Sequence, residues 1–228
     1  MNDEDDLKQR KSIALTPELI EDPEIKAIRE AENGVRQFDE TLKAALTWIE
    51  NPDRRFRLRP SIILGLQRTA LNGLDCYAGN FRPGAVRIGG SLHEPVEAFR
   101  VPLEVEDLCD YINDNWDKTA IHLASYVLWR LNWIHPFTDG NGRTSRAVSY
   151  LVLMVRLGYL LPGVNTIPEQ IAANKKPYYE ALEAADSAWR ERREVDVQAM
   201  EKLIEGLLAR QLVSVMNHAT GIDHSSGG

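Results

Sequence analysis

"WIHPFTDGNGRTSR", residues 133–146, decides how the rest of the chain is read. A histidine precedes a proline; an acid follows, then two glycines around an asparagine, then two arginines. Pro136 disfavours α conformation at His135 and removes a backbone donor, so the apolar helix predicted before it stops there. Gly140 and Gly142 admit positive φ and close backbone approach. The next segment, "RTSRAVSYLVLMVRLGYL", has the composition of a central helix. The loop therefore feeds a helix N-terminus, whose amides and dipole attract anions. Arg143 and Arg146 share one face of that first turn, where the dipole favours anions over cations. An anionic ligand between them resolves the conflict. Asp139 would repel bare phosphate but not phosphate carrying Mg²⁺, which accepts carboxylate oxygen and bridges phosphate oxygens. His135, at the edge of the loop, suits the role of base for a hydroxyl attacking a phosphoryl group. The plain alternative is a structural corner with two surface arginines. Base, metal ligand, anion turn and cation pair rarely meet for independent reasons, which weighs against it. Phe137, between polar neighbours, reads as a core anchor.

Outward from this loop, the 228 residues suit one large domain, or one domain with an appended segment, and 43% hydrophobic content suffices for a core. The net charge of −7 argues against general affinity for nucleic acid or anionic lipid. Cys76 and Cys109 have no metal-ligand spacing and form no disulfide framework, which fits a reducing, cytoplasmic compartment. The acidic start "MNDEDDLKQRKS" is no signal peptide, and the apolar run "YLVLMV" is far too short to span a membrane. The basic cluster "RRFRLR" reads as a solvated turn, since no nucleic-acid module surrounds it. His93 and His122 lack partners at metal-ligand spacing, and the tryptophans read as packing.

The elements follow from periodicity. Residues 1–12 form a disordered acidic tail, and 13–58 an N-terminal helical segment. In that segment Ile28, Val35, Leu42, Leu46 and Ile49 recur at helical intervals, with Thr16–Pro17 as its start. Residues 59–212 make the main domain, and 213–228 a disordered C-terminal tail. A second helix begins at Pro60 and ends near Gly73. "YAGNFRPGAVRIGGSLHEP" is rich in glycine and proline, and its "AVRI" run predicts a small β-hairpin, or flap, over residues 80–93. The remainder is helical, so the fold class is mainly α with one β-flap.

The residues His135, Phe137, Asp139, Gly140, Asn141, Gly142, Arg143 and Arg146 reproduce the pattern HxFx(D/E)GN(G/K)RxxR. In this the chain resembles the Fic (filamentation induced by cAMP) family. "NFR" and "AVRIGG" resemble that family's target-docking flap, and "PYYEALEAAD" its adenine-side helix. The resemblance implies a Fic-fold helical bundle with the flap over the active site. It implies transfer of AMP from ATP, with Mg²⁺, to a Ser, Thr or Tyr hydroxyl of a target protein. His135 would be the base and Asp139 the Mg²⁺ ligand. The Gly140–Gly142 amides and the Asn141 side chain would cradle phosphates, with Thr144 and Ser145 in the same turn. Arg143 and Arg146 would take the outer phosphates. Val86, Arg87, Ile88 and Gly89 would border the nucleotide and align the target backbone by strand-like pairing. Tyr178 and Tyr179 would flank the nucleoside. Asp186 stands where the family often has asparagine. Gly142, rather than lysine, departs from the phosphorylating relatives, and Arg146 from the phosphocholine-transferring ones.

Many relatives are self-inhibited by a glutamate in an [S/T]xxxE[G/N] motif, which pairs with the second arginine. "IREAEN" offers Glu32 and "EKLIEG" offers Glu205, each lacking the leading hydroxyl residue. Glu32 is preferred, because its helix continues toward the site. A separate antitoxin as inhibitor, and a homodimer, remain alternatives. The rival functions are a kinase or a deAMPylase on the same site, and a toxin-antitoxin or regulatory binding component with little catalysis.

Overall fold

The computed structural model describes residues 12–13, 19–91 and 93–220, with side chains for 19–91 and 93–215. Eight α-helices occur among them. These are α1 (Pro23–Ile49), α2 (Pro60–Leu71), α3 (Val101–Asp114), α4 (Ala120–Ile134), α5 (Asn141–Leu157), α6 (Ile167–Ala173), α7 (Lys176–Arg192) and α8 (Gln198–Thr220). The mainly α expectation holds. Two short strands, β1 (Ser12–Ile13) and β2 (Arg87–Ile88), complete the elements, with a 3₁₀ turn at Ala98–Arg100.

The apolar α4 and α5 form the central pair. α1 and α2 pack on α5, α3 packs on α4, and α7 and α8 close the other side. Trp129 on α4, Tyr150 on α5 and Phe137 in the loop between them are among the largest fully buried side chains. Each such side chain stabilises the fold by about 1.5–3 kcal/mol relative to exposure. Phe137 is thus the anchor the sequence suggested. α4 starts at the Thr119 N-cap, whose side chain accepts the His122 amide, and α5 ends at Gly158 in left-handed conformation.

Three expectations change. α1 begins at Pro23, with the Asp22 side chain accepting the amides of Glu24 and Ile25; residues 14–18, which hold the expected start, lie outside the described residues. Its buried stripe is Asn33, Gln37, Thr41 and Ala45, whereas Ile28 and Val35 are 61% and 64% exposed. Amide chemistry explains this. Asn33 Nδ2 donates to the carbonyls of Ala70 (3.3 Å) and Asn72 (2.9 Å), and Gln37 Nε2 to that of Leu66 (3.0 Å). α1 therefore docks on α2 through hydrogen bonds that apolar side chains cannot make.

The flap is not a hairpin folded on itself. Its strand β2 pairs antiparallel with β1, with Ser12 opposite Ile88 and Ile13 opposite Arg87. Pro83, Gly84 and the left-handed Gly90 flank β2 and leave it too short to turn back. Finally, α8 continues through Thr220, where a disordered tail was expected from residue 213. Gln211 ties this end down by donating to the Tyr150 hydroxyl (2.9 Å) and the Pro162 carbonyl (3.0 Å), and Leu212 packs on the core. Residues 1–11 and 221–228 of the two expected tails lie outside the described residues. No helix among the described residues is long and apolar enough to cross a membrane.

Candidate active site

α4 ends at His135, which caps it in left-handed conformation (φ 52°, ψ 59°). Non-glycine residues seldom hold this conformation unless their surroundings fix it. Here Arg82 fixes it. Buried at the base of the flap, Arg82 donates from Nε to the His135 carbonyl (2.8 Å), from Nη1 to the Gly84 carbonyl (2.8 Å) and from Nη2 to that of Val96. Its amide donates to the Pro136 carbonyl at 2.9 Å. One guanidinium thus joins the histidine corner to both ends of the flap. The His135 ring is buried, and burial pushes its pKa down to about 4, opposed by the Asn132 carbonyl. Nδ1 donates to that carbonyl at 3.4 Å, so Nε2 carries the lone pair of a neutral imidazole.

Gly140, at φ 77°, is the N-cap of α5, and a Cβ there would collide with Leu71 of α2. No side chain caps the helix end. Asn141 holds the loop instead, accepting the Phe137 amide (3.0 Å) and donating to the Phe137 carbonyl (2.8 Å). Gln67 Nε2 of α2 donates to the Asp139 carbonyl at 3.3 Å. Asp139 is exposed; its carboxylate accepts the Gly140 amide (2.6 Å) and pairs with Arg143 (3.1 Å). Burial lowers the Arg146 pKa, and Tyr178, Arg143 and Tyr179 act on it, with no carboxylate among them.

These groups share a cavity of about 640 Å³, within the usual range for ligand pockets. Its walls include His135, Asp139, the turn Gly140–Arg143, Arg146, Tyr178, Tyr179 and Asp186. The residues singled out from the opening stretch therefore converge. Tyr178 is buried and its hydroxyl accepts from Asn132 Nδ2 (2.7 Å); Trp129 Nε1 donates to Asp186 at 2.9 Å.

Other expected residues lie elsewhere. Thr144 and Ser145 are buried on the inner side of α5 and do not line the cavity; Ser145 accepts from Asn132 at 2.8 Å. Of the four flap residues, Ile88 alone borders it; Val86 is buried, Arg87 is exposed and Gly89 lies outside the wall. Glu32 pairs with Arg29 (3.9 Å) and Arg36 (3.6 Å) on the outer surface of α1, and Glu205 is exposed on α8. The acid of α1 that lines the cavity is Glu30, one helical turn from Lys26, which lines it too. Glu30 and Glu32 are two positions apart and so face opposite sides of the helix.

Sequence reading also missed Arg82, Asn132 and His93. His93 donates from Nε2 to the Trp133 carbonyl (2.7 Å) beside the cavity. "NFR" contains Arg82, and an arginine just before the Pro–Gly pair of the flap was the signal available. His122 bridges the Tyr111 hydroxyl (2.9 Å) and Glu201 (2.7 Å) between helices, which is a structural role. No group of three metal-ligating side chains occurs among the described residues. Among the described residues, Asp139 offers the carboxylate at the Gly140–Gly142 turn. That suits Mg²⁺, which commonly takes one or two carboxylates and fills its shell with phosphate and water.

Comparison with known proteins agrees with this geometry. Residues 57–153 match the Fic/DOC family. Over 127 residues the chain is 35% identical to the protein adenylyltransferase Fic of Drosophila willistoni and to the protein adenylyltransferase fic-1 of Caenorhabditis elegans. The match covers 54% of this chain but only 24% and 23% of those proteins, so the chain spans about a quarter of their length. A Fic family protein from Desulfovibrio desulfuricans superposes with a TM-score of 0.64 at 21% identity, covering 90% of this chain and 57% of that one. Fic-1 from C. elegans gives 0.63 at 22%, covering 84% and 53%. The structural matches carry the fold and the sequence matches carry the motif: the chain has the fold of Fic proteins, and its residues 57–153 resemble the Fic/DOC family.

Proposed function

We propose that this chain is a protein adenylyltransferase, moving AMP from ATP to a hydroxyl of a protein target. One observation carries the reading. A neutral imidazole, a glycine-capped helix N-terminus and a half-buried arginine that has no carboxylate partner among the described residues face one cavity. A phosphate chain would satisfy the helix end and the arginine together. In the reaction, His135 Nε2 takes the hydroxyl proton as the oxygen bonds to the α-phosphorus and pyrophosphate leaves. The Gly140–Gly142 turn orients the α- and β-phosphates. Arg146 holds the outer phosphates, joined by Arg143 once its pairing with Asp139 is exchanged. Tyr178, Tyr179 and Asp186 border the nucleoside. Mg²⁺ at Asp139 would supply charge neutralisation on the phosphates when bound. The sequence identity to named adenylyltransferases supports the same reading, as does glycine at position 142. The compartment this chemistry needs is one that supplies ATP, such as the cytoplasm.

The test uses Mg²⁺ with ATP labelled on either the α- or the γ-phosphate, and a cell lysate as target source. Protein label from α but not γ is the expected result. His135→Ala should abolish it while nucleotide binding persists. Label from γ alone would make the protein a kinase and refute the proposal.

A further inference from the structure

Asn132 stands one turn before His135 on α4 and lines the same cavity. Its Nδ2 lies 2.7 Å from the Leu128 carbonyl, 2.8 Å from Ser145 Oγ and 2.7 Å from the Tyr178 hydroxyl. A carbonyl can only accept, so the amide atom facing Leu128 is the nitrogen. Ser145 gives its own hydrogen to the Gly142 carbonyl at 3.1 Å and therefore accepts from Asn132 too. Turning the amide over would set two oxygens against each other at Leu128. Its orientation is thus fixed, and Oδ1 is left accessible on the cavity wall, with no protein donor among the described residues.

An acceptor oxygen in that wall repels phosphate oxygens and recognises an O–H or N–H. Its position decides which. On one side the amide is tied through Ser145 to Gly142, in the turn at the start of α5. On the other it holds Tyr178, in the first turn of α7. Asp186, an acceptor suited to a base amine, lies two turns further along α7, about 12 Å by helical rise. In a nucleotide whose phosphates fill the Gly140–Gly142 turn, the ribose lies between phosphates and base, and its hydroxyls are donors.

We propose that Asn132 Oδ1 accepts a hydrogen bond from a ribose hydroxyl and so selects ribonucleotides over deoxynucleotides. The inference rests on the nucleotide site of the adenylyl-transfer reading above. The three contacts of Nδ2 hold the amide before the ligand arrives, so little ordering is left for binding. A nucleotide without ribose hydroxyls would leave Oδ1 facing the ligand unpaired.

The experiment titrates the Mg²⁺ complexes of ATP, dideoxy-ATP and tripolyphosphate into the full chain by calorimetry. Transfer of label from α-labelled ATP to lysate proteins is followed in parallel. The wild type should bind ATP on the order of tenfold more tightly than dideoxy-ATP, which lacks both hydroxyls. Asn132→Leu keeps the side-chain size but cannot accept. It should bring ATP down to the affinity of dideoxy-ATP and leave tripolyphosphate, which carries no ribose, unchanged. Equal wild-type affinities for the two nucleotides overturn the proposal without any variant. So does discrimination that survives in Asn132→Leu, or a variant that loses tripolyphosphate as well as ATP, since Asn132 would then only support the wall. The expected discrimination without transfer of label overturns the adenylyl-transfer reading and leaves the ribose contact standing. Binding of neither nucleotide overturns both.

Discussion

His135 owes its neutral imidazole to its backbone as much as to its ring. The left-handed corner at φ 52° holds the imidazole inside the cavity wall, and burial drives its pKa to about 4. An unperturbed histidine would be half-protonated near pH 6.5; this one stays neutral well below that. The pH dependence of kcat/KM, which reports the free enzyme, should therefore show no rising limb near 6.5 and should fall only as pH approaches about 4. A limb at 6.5 that disappears in no other histidine variant would refute the burial argument. The same shift links to stability. The unfolded chain takes up the proton first, so this contribution is fully present above pH 6.5 and is lost as pH falls through the folded value of about 4. Its size is about 3 kcal/mol. His135→Asn should flatten the acid side of the Tm–pH curve by a corresponding amount, measured by thermal denaturation from pH 7 downward.

At the scale of elements, the loop works because α5 begins hard against the end of α2. Gly140 combines a positive φ of 77° with a missing Cβ that leaves room for Leu71. Gly140→Ala meets two penalties, about 1–2 kcal/mol for left-handed backbone and about 1–3 kcal/mol for overpacking. Leu71→Ala alone costs about 2–5 kcal/mol through the cavity it leaves. The double variant should be less destabilised than the two singles added, since the new methyl enters the space Leu71 vacates. Additive denaturation free energies would show that the two elements do not touch there. This pairing marks where sequence reading stopped. The His135–Arg146 loop was legible because its conformation is set by residues adjacent in the chain: proline, glycines and a helix start. The buried stripe of α1 was not, because Asn33 and Gln37 look like surface residues until the carbonyls at the end of α2 are known. Nor was the flap's partner, which lies some seventy-five positions away in the sequence. Helical spacing limited the choice of glutamate to one face of α1, but which face met the cavity depended on that docking.

For the whole molecule, α1 is both a wall of the cavity that holds His135 and a helix whose own apolar residues do not set its rotation. Asn33 and Gln37 clamp it to α2, Phe38 stacks on Tyr150 of α5 with ring centroids 6.2 Å apart, and this rotation turns Lys26 and Glu30 toward the site. Glu32 is turned outward to Arg29 and Arg36. If the cavity takes the polyphosphate of the proposed reaction, a carboxylate beside it opposes the ligand and competes for its arginines. Glu30→Ala should therefore tighten Mg²⁺–ATP binding several-fold, on the order of 1 kcal/mol for a partly exposed charge. Glu32→Ala should leave binding unchanged. Isothermal titration at two ionic strengths separates the cases, because the Glu30 effect must shrink as salt screens it. Equal responses from the two variants, or a response from Glu32 alone, would mean that α1 presents its other face to the nucleotide. Asn33→Ala then gives the control at this scale. It breaks the clamp without touching the charges, so it should loosen α1 and reduce the difference between the Glu30 and wild-type affinities when the two changes are combined.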